Sequence, residues 1–511
     1  MAFHSNCYSP SSHSKFHSLV SRRSQPVAPV HYSFPIPSSI FPLTPRTPTV
    51  TMFNNPPPAR SPSLIKSPNN FLLPPPQPFG SPDLANKQSS DPKASDPLSG
   101  LSASHWYHGL LPRDDIKTFL VENGDYLVRM SEPNEPGKRE YILSTMFDKS
   151  IGKIKHFVIV HSGERFILHS KSFRSIPELV KYFASTKKSL TGQMEVVIRR
   201  AIARSEWQLE HEEVQSTKKL GEGAFGEVHK GILKLRRCNK KIDVALKLAK
   251  LDAMTKDQIQ GFMKEARLMR DFDHPNVVRL FGVAATQEPL MLVMELASDG
   301  ALDSYLQKHA CTVQTKLTMI LQAAWGIEYL HDRPILHRDL ASRNCLYGDG
   351  KVKISDFGLS REGRSYVMHK KSRLPIRWLA PETLKALQYS TKTDVWSYGI
   401  MCWEILNDGK EPYPGMTVAE VNVKVREGYR MPIDSMPGLD GDVISLISQR
   451  CWAEGKDDRP EISGVARELE RVTHTPRPDS RDAVFGSKPK MAKSQQQQQH
   501  KMHLQMPPSS E

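Results

Sequence analysis

Hydrophobic and polar positions form two patterned regions along the chain, one short and one long. Between residues 104 and 198, short runs of aromatic and β-branched residues are separated by Gly and Pro clusters, which is typical of strands joined by turns. Apolar residues at helical spacing flank these runs on both sides. The pattern predicts a helix, an antiparallel sheet and a second helix, with strands at 125–130, 140–147, 155–161 and 165–169 and helices at 114–121 and 175–186.

The second patterned region, residues 207–473, mixes strand and helix patterns over a length that can bury the core of a larger α/β domain. A short link, residues 199–206, joins it to the first region. Such a link keeps two folded modules at a high effective concentration for each other. We therefore expect two folded domains, one after the other.

Two further segments lack apolar periodicity. Residues 1–100 hold 20 of the chain's 39 prolines and no acidic residue before Asp83, and residues 474–511 include a glutamine run from 495 to 499. Chains of this composition cannot bury enough apolar area to offset the entropy that ordering costs. Both segments are predicted to be disordered.

The net charge of +15 suits a protein that binds nucleic acid, but it also suits solvated basic tails. No nucleic-acid-binding motif accompanies the charge, so we favour the tails. The six cysteines form no C-x-x-C pair, which favours neither disulfides nor a zinc site. We expect a cytoplasmic protein, because no apolar run could span a membrane, no secretory signal is found, and Ala2 stands where myristoylation needs glycine.

A glycine-rich segment, GEGAFGEV at 221–228, is the first candidate for chemistry. Gly221, Gly223 and Gly226 lack side chains, so the backbone can approach nucleotide phosphates. Dinucleotide-binding folds use the same G-x-G-x-x-G spacing, but there the segment opens a helix. Here a strand pattern follows, DVALK at 243–247, and this order is that of protein kinases.

Lys247 ends that strand pattern and is the candidate ligand of the α- and β-phosphates of ATP. A lysine in this role needs a carboxylate on the next helix to fix its position. Glu265 is the only Glu between Lys247 and Glu288, so it takes this role by elimination. The two residues predict an ion pair between a strand and a helix.

Two further motifs supply the groups for the transfer step. HRDLASRN at 337–344 spaces Asp339 and Asn344 five residues apart, as kinase catalytic loops do. In this pattern Asp339 accepts the proton of the substrate hydroxyl. Asn344, together with Asp356 of the DFG motif at 356–358, holds magnesium. ATP and magnesium are therefore the expected cofactors.

With APE at 380–382, DVWSYG at 394–399 and DDRP at 457–460, the order of motifs resembles a protein-kinase domain throughout residues 207–473. The resemblance implies a bilobal fold in which Asp394 braces the catalytic loop and Arg459 pairs with Glu382. It also places the adenine, near Lys247, against a group of strand and hinge residues: Val228, Ala245, Met294, Glu295 and Leu346.

Three features resemble the tyrosine-specific branch of this family. Ala341 stands where serine/threonine kinases usually place lysine, and Arg343 matches the tyrosine-kinase form of the catalytic loop. Pro375, in PIRWLAPE at 375–382, matches the platform on which a tyrosine ring lies flat. The dipeptide CW at 451–452 also fits this branch. The resemblance implies transfer of the ATP γ-phosphate to protein tyrosine.

Arg129 indicates a different kind of site in the first region. A charge inside an apolar strand is costly unless it is paired, and phosphate suits a planar guanidinium that binds two oxygens; the alternative is a core arginine paired with an acid. WYHG at 106–109 and GDYLVRMS at 124–131 resemble a Src-homology-2 (SH2) domain, which binds phosphotyrosine. Met130 departs from that family's usual glutamate, and Val158 from a basic residue that many members carry. The resemblance implies the ligand set Arg113, Arg129, Ser131 and His156.

Tyr366 lies between the DFG and APE motifs, in the predicted activation segment. A phosphate there would add negative charge near Arg338 and near three basic neighbours, Lys370, Lys371 and Arg373. We expect autophosphorylation of Tyr366 to raise activity; the alternative is an exposed loop tyrosine without a role. Tyr429 is the last tyrosine of the chain, so we expect no C-terminal phosphotyrosine latch of the Src type.

The order of modules, with details such as KHFVIV at 155–160 and EWQLEHEEV at 206–214, resembles the Fes/Fer group of tyrosine kinases. The resemblance does not extend to the coiled-coil region that precedes the SH2 domain in Fes and Fer, so membrane binding is not carried over. The expected fold is α+β. Its parts are a disordered segment (1–100), an SH2 domain (104–198), a linker (199–206), a protein-tyrosine kinase domain (207–473) and a disordered tail (474–511).

The function we expect is that of a monomeric non-receptor protein-tyrosine kinase, recruited or regulated when its SH2 domain binds tyrosine-phosphorylated proteins. Such partners could also bring it to the membrane periphery. Arg23, Pro26 and Pro29 have the spacing of an SH3 ligand, a spacing that also arises by chance in a proline-rich segment. Two alternatives stay open. One is an adaptor with an inactive kinase domain, against which the complete set of catalytic residues speaks, and the other is a basic nucleic-acid binder.

Overall fold

The computed structural model describes residues 100–133, 137–192, 195–223, 226–236, 238, 240–249, 254–368 and 374–477, which belong to one unit of the structure. The predicted disorder of residues 1–100 and 474–511 concerns residues almost wholly outside these ranges. The SH3-ligand spacing near the N-terminus and the basic residues Lys370, Lys371 and Arg373 also lie outside them. These predictions stay predictions.

The first domain is built on a mixed, mainly antiparallel sheet. Within the described residues its elements are α1 (Arg113–Phe119), β1 (Asp125–Ser131), β2 (Glu140–Asp148), β3 (Lys153–Ser162), β4 (Arg165–Leu168), β5 (Lys171–Phe173), α2 (Ile176–Thr186) and β6 (Arg200–Ala201). The strand order is β5-β4-β3-β2-β1-β6. Neighbouring strands run antiparallel except β6, which pairs with β1 in parallel. The short strands β5 and β6 were not predicted.

Each face of this sheet is covered by one helix. On one face Ile116 of α1 packs in a cluster with Leu127 of β1. On the other face Phe183 of α2 packs in a cluster with Val128. Because successive side chains of a strand point to opposite faces, β1 places Arg129 on the face of α1.

The four predicted strands are confirmed to within two residues at each end, but the first helix is shorter than predicted. It spans Arg113–Phe119 instead of 114–121. The carboxylate of Asp125 accepts hydrogen bonds from the amides of Val121 (3.0 Å) and Glu122 (2.7 Å). Because these amides bond to a side chain in the following turn, they do not continue the helix.

The second domain begins with an antiparallel sheet and one long helix. These elements are β7 (Val214–Gly223), β8 (Gly226–Lys234), β9 (Lys241–Ala249), α3 (Lys256–Met269), β10 (Leu280–Ala284) and β11 (Leu290–Glu295). The strand order is β10-β11-β9-β8-β7. The glycine-rich segment continues into a strand, β8, as the kinase interpretation requires, whereas the dinucleotide alternative requires a helix there.

The remainder of the second domain is mainly helical. Its elements are β12 (Gly300–Ala301), α4 (Leu302–Lys308), α5 (Val313–Asp332), β13 (Ile335–Leu336), β14 (Cys345–Gly348), β15 (Lys351–Ile354), β16 (Arg361–Glu362), β17 (Ser365–Val367), α6 (Pro381–Ala386), β18 (Gln388–Ser390), α7 (Thr391–Leu406), α8 (Val418–Arg426), α9 (Gly441–Ser445) and α10 (Ile462–Thr473). Helix α7 is buried along most of its length. Its acids Asp394 and Glu404 must therefore find partners inside the domain. Among the helices described, none has the length and apolarity to cross a membrane.

The first domain contacts the second at the end of β10 and along α3. The amide of Leu110 donates to the carbonyl of Ala285 (3.0 Å). Gly109 has φ +60°, and a methyl group on it would come 1.9 Å from the same carbonyl oxygen. Asp115 of α1 forms an ion pair with Arg267 of α3. Residue 109 must therefore be glycine on two grounds, its backbone angle and the approach of the other domain.

Candidate active site and phosphate pocket

The predicted ion pair between strand and helix is formed. Nζ of Lys247 on β9 lies 2.8 Å from both carboxylate oxygens of Glu265 on α3. Thr255 caps α3 through the amide of Gln258, and the helical period then brings Glu265 to the buried face beside Phe262. Burial raises the pKa of Glu265, and the positive charge of Lys247 opposes this rise. The lysine is therefore positioned by a carboxylate that is only 3% exposed.

The glycine-rich segment forms the hairpin between β7 and β8. Gly221 pairs with Val228, and Gly223 pairs with Gly226. Gly226 has φ +148°, and a methyl group on it would come 2.1 Å from the carbonyl oxygen of Leu248 on β9. A methyl group on Gly221 would meet nothing within 4 Å. Packing therefore requires glycine at position 226, whereas position 221 has open space beside it.

Four of the residues predicted to surround the adenine lie on the neighbouring strands β8, β9 and β11, and the fifth, Leu346, lies on β14 of another sheet. Ala245 of β9 pairs with Met294 of β11, and Leu346 of β14 pairs with Lys353 of β15. Nζ of Lys353 also lies 2.9 Å from the carboxylate of Glu295 at the end of β11. This ion pair, which the sequence did not predict, connects the sheet that contains β11 to the mainly helical part of the domain, beside the predicted hinge.

The residues of the catalytic loop are hydrogen-bonded to one another. The guanidinium of Arg343 donates to the carboxylate of Asp339 (2.6 Å), and the side-chain amide of Asn344 donates to the backbone carbonyl of Asp339 (2.8 Å). The latter bond uses the amide nitrogen of Asn344 and leaves its oxygen as a ligand atom. Asp356, after β15, has φ +57° and accepts a bond from the amide of Gly358 (3.3 Å). Oxygen atoms of this kind suit magnesium, so the donor set fits the expected metal.

Asp394 of α7 supports the catalytic loop from inside the domain. Its carboxylate accepts bonds from the amides of His337 and Arg338, both at 2.9 Å, and Nε2 of His331 lies 3.0 Å from it. Burial opposes ionisation here, but the hydrogen bonds, first of them that of His331, prevail and lower the pKa of Asp394. The geometry fits the bracing role that the resemblance implied. The part of His331 was not predicted.

Glu404 of α7, which the sequence analysis did not single out, supports the catalytic loop from a second direction. Its carboxylate accepts bonds from the amide (3.0 Å) and hydroxyl (2.8 Å) of Ser342 and from the indole of Trp378 (3.0 Å). The ring centre of Trp378 lies 4.0 Å from the guanidinium carbon of Arg343, close enough for a cation–π contact. The sequence does contain a signal for this role, because an acid inside the apolar run MCWEIL at 401–406 is expected to be buried and to need hydrogen-bond donors.

The pair of Arg459 and Glu382 implied by the resemblance is also formed. Two guanidinium nitrogens of Arg459 lie 2.8 and 2.9 Å from the two carboxylate oxygens of Glu382. The same guanidinium donates to the carbonyls of Ala453 (2.9 Å) and Lys392 (3.1 Å). The side chain of Arg459 has no exposed surface. It therefore joins the helix that follows the activation segment to the lower part of the domain.

Tyr366 lies on β17, which pairs with β18. The guanidinium carbon of Arg338 lies 4.7 Å from the centre of its ring. One nitrogen of Arg338 also donates to the carbonyl of Leu359 (2.8 Å). Burial lowers the pKa of Arg338, as expected of a cation that has lost water. The predicted phosphorylation site is therefore next to a partly desolvated cation.

The four residues predicted to bind phosphate line one cavity of 370 Å³: Arg113, Arg129, Ser131 and His156. The side chain of Arg129 is buried, and one nitrogen donates to the carbonyl of Leu111 (3.4 Å). In the part of the chain that the structure describes, its Nε has no hydrogen-bond partner. Burial and the neighbouring charge of Arg113 lower the pKa of Arg129 to about 10. Arg129 therefore lines the cavity with a buried cation that has an unpartnered donor, and an anion in the cavity can compensate its charge.

The pKa of His156 is also affected by the positive charges of this cavity. Its Nδ1 lies 2.9 Å from the hydroxyl of Ser144. Burial, Arg129 and Arg113, in that order, lower the pKa of His156 to about 4. The imidazole is therefore neutral at pH 7. No carboxylate among the described residues forms an ion pair with Arg129, so the alternative of a core arginine paired with an acid finds no support.

Comparison with known proteins identifies both domains. The family model for protein tyrosine and serine/threonine kinases matches residues 214–469, and the SH2 domain model matches residues 106–183. The chain is 39% identical to human tyrosine-protein kinase Fer over 375 residues, covering 72% of this chain and 44% of Fer. It is 37% identical to Fer-related kinase 1 of Caenorhabditis elegans over 374 residues, covering 72% and 94%. It is 34% identical to the transforming protein Fps of avian sarcoma virus (strain PRCII) over 406 residues, covering 78% and 70%.

The fold and the two sites define a protein kinase preceded by an SH2 domain, and the chain belongs to the protein tyrosine and serine/threonine kinase family. Its relatives are the tyrosine kinases Fer and Fps, which confirms the predicted resemblance to the Fes/Fer group and the α+β arrangement. The chain spans less than half the length of human Fer (44%). The kinase family implies ATP and a divalent metal ion as cofactors.

Proposed function

We propose that this protein transfers the γ-phosphate of ATP to tyrosine residues of proteins and that its SH2 domain binds tyrosine-phosphorylated proteins. The observation that carries the proposal is the contact of Lys247 with both oxygens of Glu265 at 2.8 Å. This pair fixes the lysine that holds the α- and β-phosphates. An inactive adaptor has no need of it, so the geometry favours the enzyme.

In the transfer step the tyrosine oxygen forms a bond to the γ-phosphorus while the bond from that phosphorus to the β–γ bridging oxygen breaks, and ADP leaves. Asp339 accepts the hydroxyl proton, and Arg343 holds the carboxylate of Asp339 in place. Asn344 and Asp356 are the proposed magnesium ligands; the ion neutralises phosphate charge when bound. Val228, Ala245, Met294, Glu295 and Leu346 are the proposed contacts of the adenine.

Tyrosine is favoured over serine and threonine as the acceptor. The resemblance to tyrosine kinases rests on Arg343 in the catalytic loop and on the platform that begins at Pro375. The contact between Arg343 and Trp378, at 4.0 Å, joins these two elements. Tyr366 is the proposed autophosphorylation site, because Arg338 lies beside its ring and a phosphate attracts such a cation.

Arg129 is the central ligand of the proposed phosphotyrosine site, with Arg113, Ser131 and His156 around it. The buried donor of Arg129 supports this assignment. Binding of SH3 proteins near the N-terminus, a monomeric state and a cytoplasmic location stay predictions.

The test uses the full-length chain with ATP, magnesium and a random copolymer of glutamate and tyrosine. We expect the wild type to phosphorylate the copolymer and Asp339→Asn to reduce kcat by about 100-fold or more, as loss of a general base does. Arg471→Ala is the control and retains activity, because Arg471 is an exposed residue of α10 paired with Asp442. Equal activity in Asp339→Asn, or phosphoserine in place of phosphotyrosine on a mixed protein substrate, would refute the proposal.

A further inference from the structure

The cavity around Arg129 is not formed by the SH2 domain alone. Its wall includes Lys256, Ile259 and Gln260 of helix α3 in the kinase domain. This is the helix that carries Glu265 and that forms the ion pair with Asp115. The pocket proposed to bind phosphotyrosine is therefore shared between the two domains.

Lys256 lines this cavity and is bonded to the residue that directly follows β1, the strand that carries Arg129. Its ammonium group donates to the backbone carbonyl of Glu132 (3.2 Å), and Glu132 directly follows the predicted ligand Ser131. A lysine ammonium has three N–H donors. Among the residues that the structure describes, this bond uses one of them, so two remain for a ligand in the cavity.

The charges that line the cavity suit a phosphate monoester. Four cationic side chains line it (Arg113, Arg129, Arg139 and Lys256) together with two carboxylates (Asp114 and Glu132), which gives a net charge of +2 with His156 neutral. A phosphotyrosine carries about −1.5 to −2 at pH 7. Without Lys256 the lining would have a net charge of +1, because Val158, which also lines the cavity, is apolar where many SH2 domains carry a basic residue.

We infer that Lys256 is a phosphotyrosine ligand contributed by the kinase domain, so that the phosphate pocket is complete only when the two domains are docked. This inference rests on the proposed role of Arg129 as the central phosphate ligand. The kinase helix supplies the cation that the SH2 strand lacks at position 158. Binding through this chain's pocket therefore depends on a residue outside its SH2 domain.

The experiment measures binding of a fluorescein-labelled peptide, with one phosphotyrosine flanked by glycine and serine only, to the full-length chain by fluorescence anisotropy. Lys256→Gln keeps a donor for the carbonyl of Glu132 but removes the charge, and we expect it to raise Kd by about 10–100-fold, the value of one charge-assisted hydrogen bond. Lys256→Arg keeps the charge and stays within about 2-fold of the wild type. Arg129→Ala raises Kd by about 100-fold or more.

Lys264→Gln is the matched control, since it removes the same charge from the same helix and Lys264 does not line the cavity. We expect it to leave Kd unchanged. Wild-type Kd in Lys256→Gln with binding lost in Arg129→Ala would overturn the inference and leave the phosphotyrosine site intact. An equal loss in Lys264→Gln would also overturn it, because the effect would then be one of general charge. Unchanged binding in Arg129→Ala would instead contradict the proposed function.

Discussion

Replacing Arg459 by methionine tests how far the lower part of the kinase domain depends on one buried cation. The substitution keeps most of the side-chain volume and removes the charge. It leaves the carboxylate of Glu382, which is 15% exposed, without its partner. It also removes the hydrogen bonds that Arg459 donates to the carbonyls of Ala453 and Lys392.

The expected loss of stability follows from this geometry. Breaking a buried ion pair by removing one partner costs about 3–5 kcal/mol, because the remaining charge stays buried and uncompensated. For a domain of this size each kcal/mol lowers Tm by about 2–4 °C. We therefore expect Arg459→Met to lower the Tm of the kinase domain by about 10 °C.

Thermal unfolding of the full-length chain, followed by tryptophan fluorescence, provides the measurement. Arg471→Met is the control, since the pair of Arg471 and Asp442 is 63% and 60% exposed and solvent screens it; its Tm should equal that of the wild type. Adding Glu382→Met to Arg459→Met should restore part of the lost Tm, because an apolar pair can replace a buried ion pair. A Tm for Arg459→Met equal to that of Arg471→Met would refute the argument.

Three further predictions concern the glycine-rich hairpin, the activation segment and pH. Gly226→Ala should lower stability by about 1–3 kcal/mol while Gly221→Ala should not, since only the first methyl group meets Leu248; equal Tm values would contradict this. Tyr366→Phe should lower turnover after incubation with ATP by about tenfold, the value of one phosphate–arginine bond, and unchanged turnover would exclude it. Burial lowers the pKa of His108 to about 4, so the unfolded chain binds a proton at a higher pH than the folded chain does. The free energy of unfolding therefore falls as pH drops from 6.5 towards 4, by about 2 kcal/mol at pH 5. A His108→Gln chain should show a smaller fall of Tm over this pH range than the wild type.

The catalytic groups could be predicted from the sequence because they occur in short motifs with fixed spacing. Lys247 and Glu265 are 18 positions apart, yet the only glutamate on the predicted helix could be identified by elimination. The partners that position these groups could not be found in this way. His331 contacts Asp394, which braces the catalytic loop, and Glu404 contacts the loop itself. Both roles depend on how α5 and α7 pack.

The residues that line the phosphate pocket show more clearly what sequence patterns cannot predict. Arg129 and Arg113 were predicted because the motifs of one sequence region resemble an SH2 domain. Lys256 lies 127 positions after Arg129, in a different domain, and no local pattern connects the two residues. The first helix was predicted to end two residues too late for a related reason, since Asp125, which accepts hydrogen bonds from the amides of Val121 and Glu122, lies beyond the helix.

A binding domain on a flexible link can be replaced by another of the same fold with little effect on its neighbour. The fit of Gly109 against Ala285 does not allow this here. Any domain grafted in its place would need a glycine with the same backbone angle at that point and an acid facing Arg267. The SH2 domain of this chain is thus an integral part of the kinase rather than an exchangeable module. A substitution on one side of the contact is tolerated only when the facing residues of the other domain remain compatible with it.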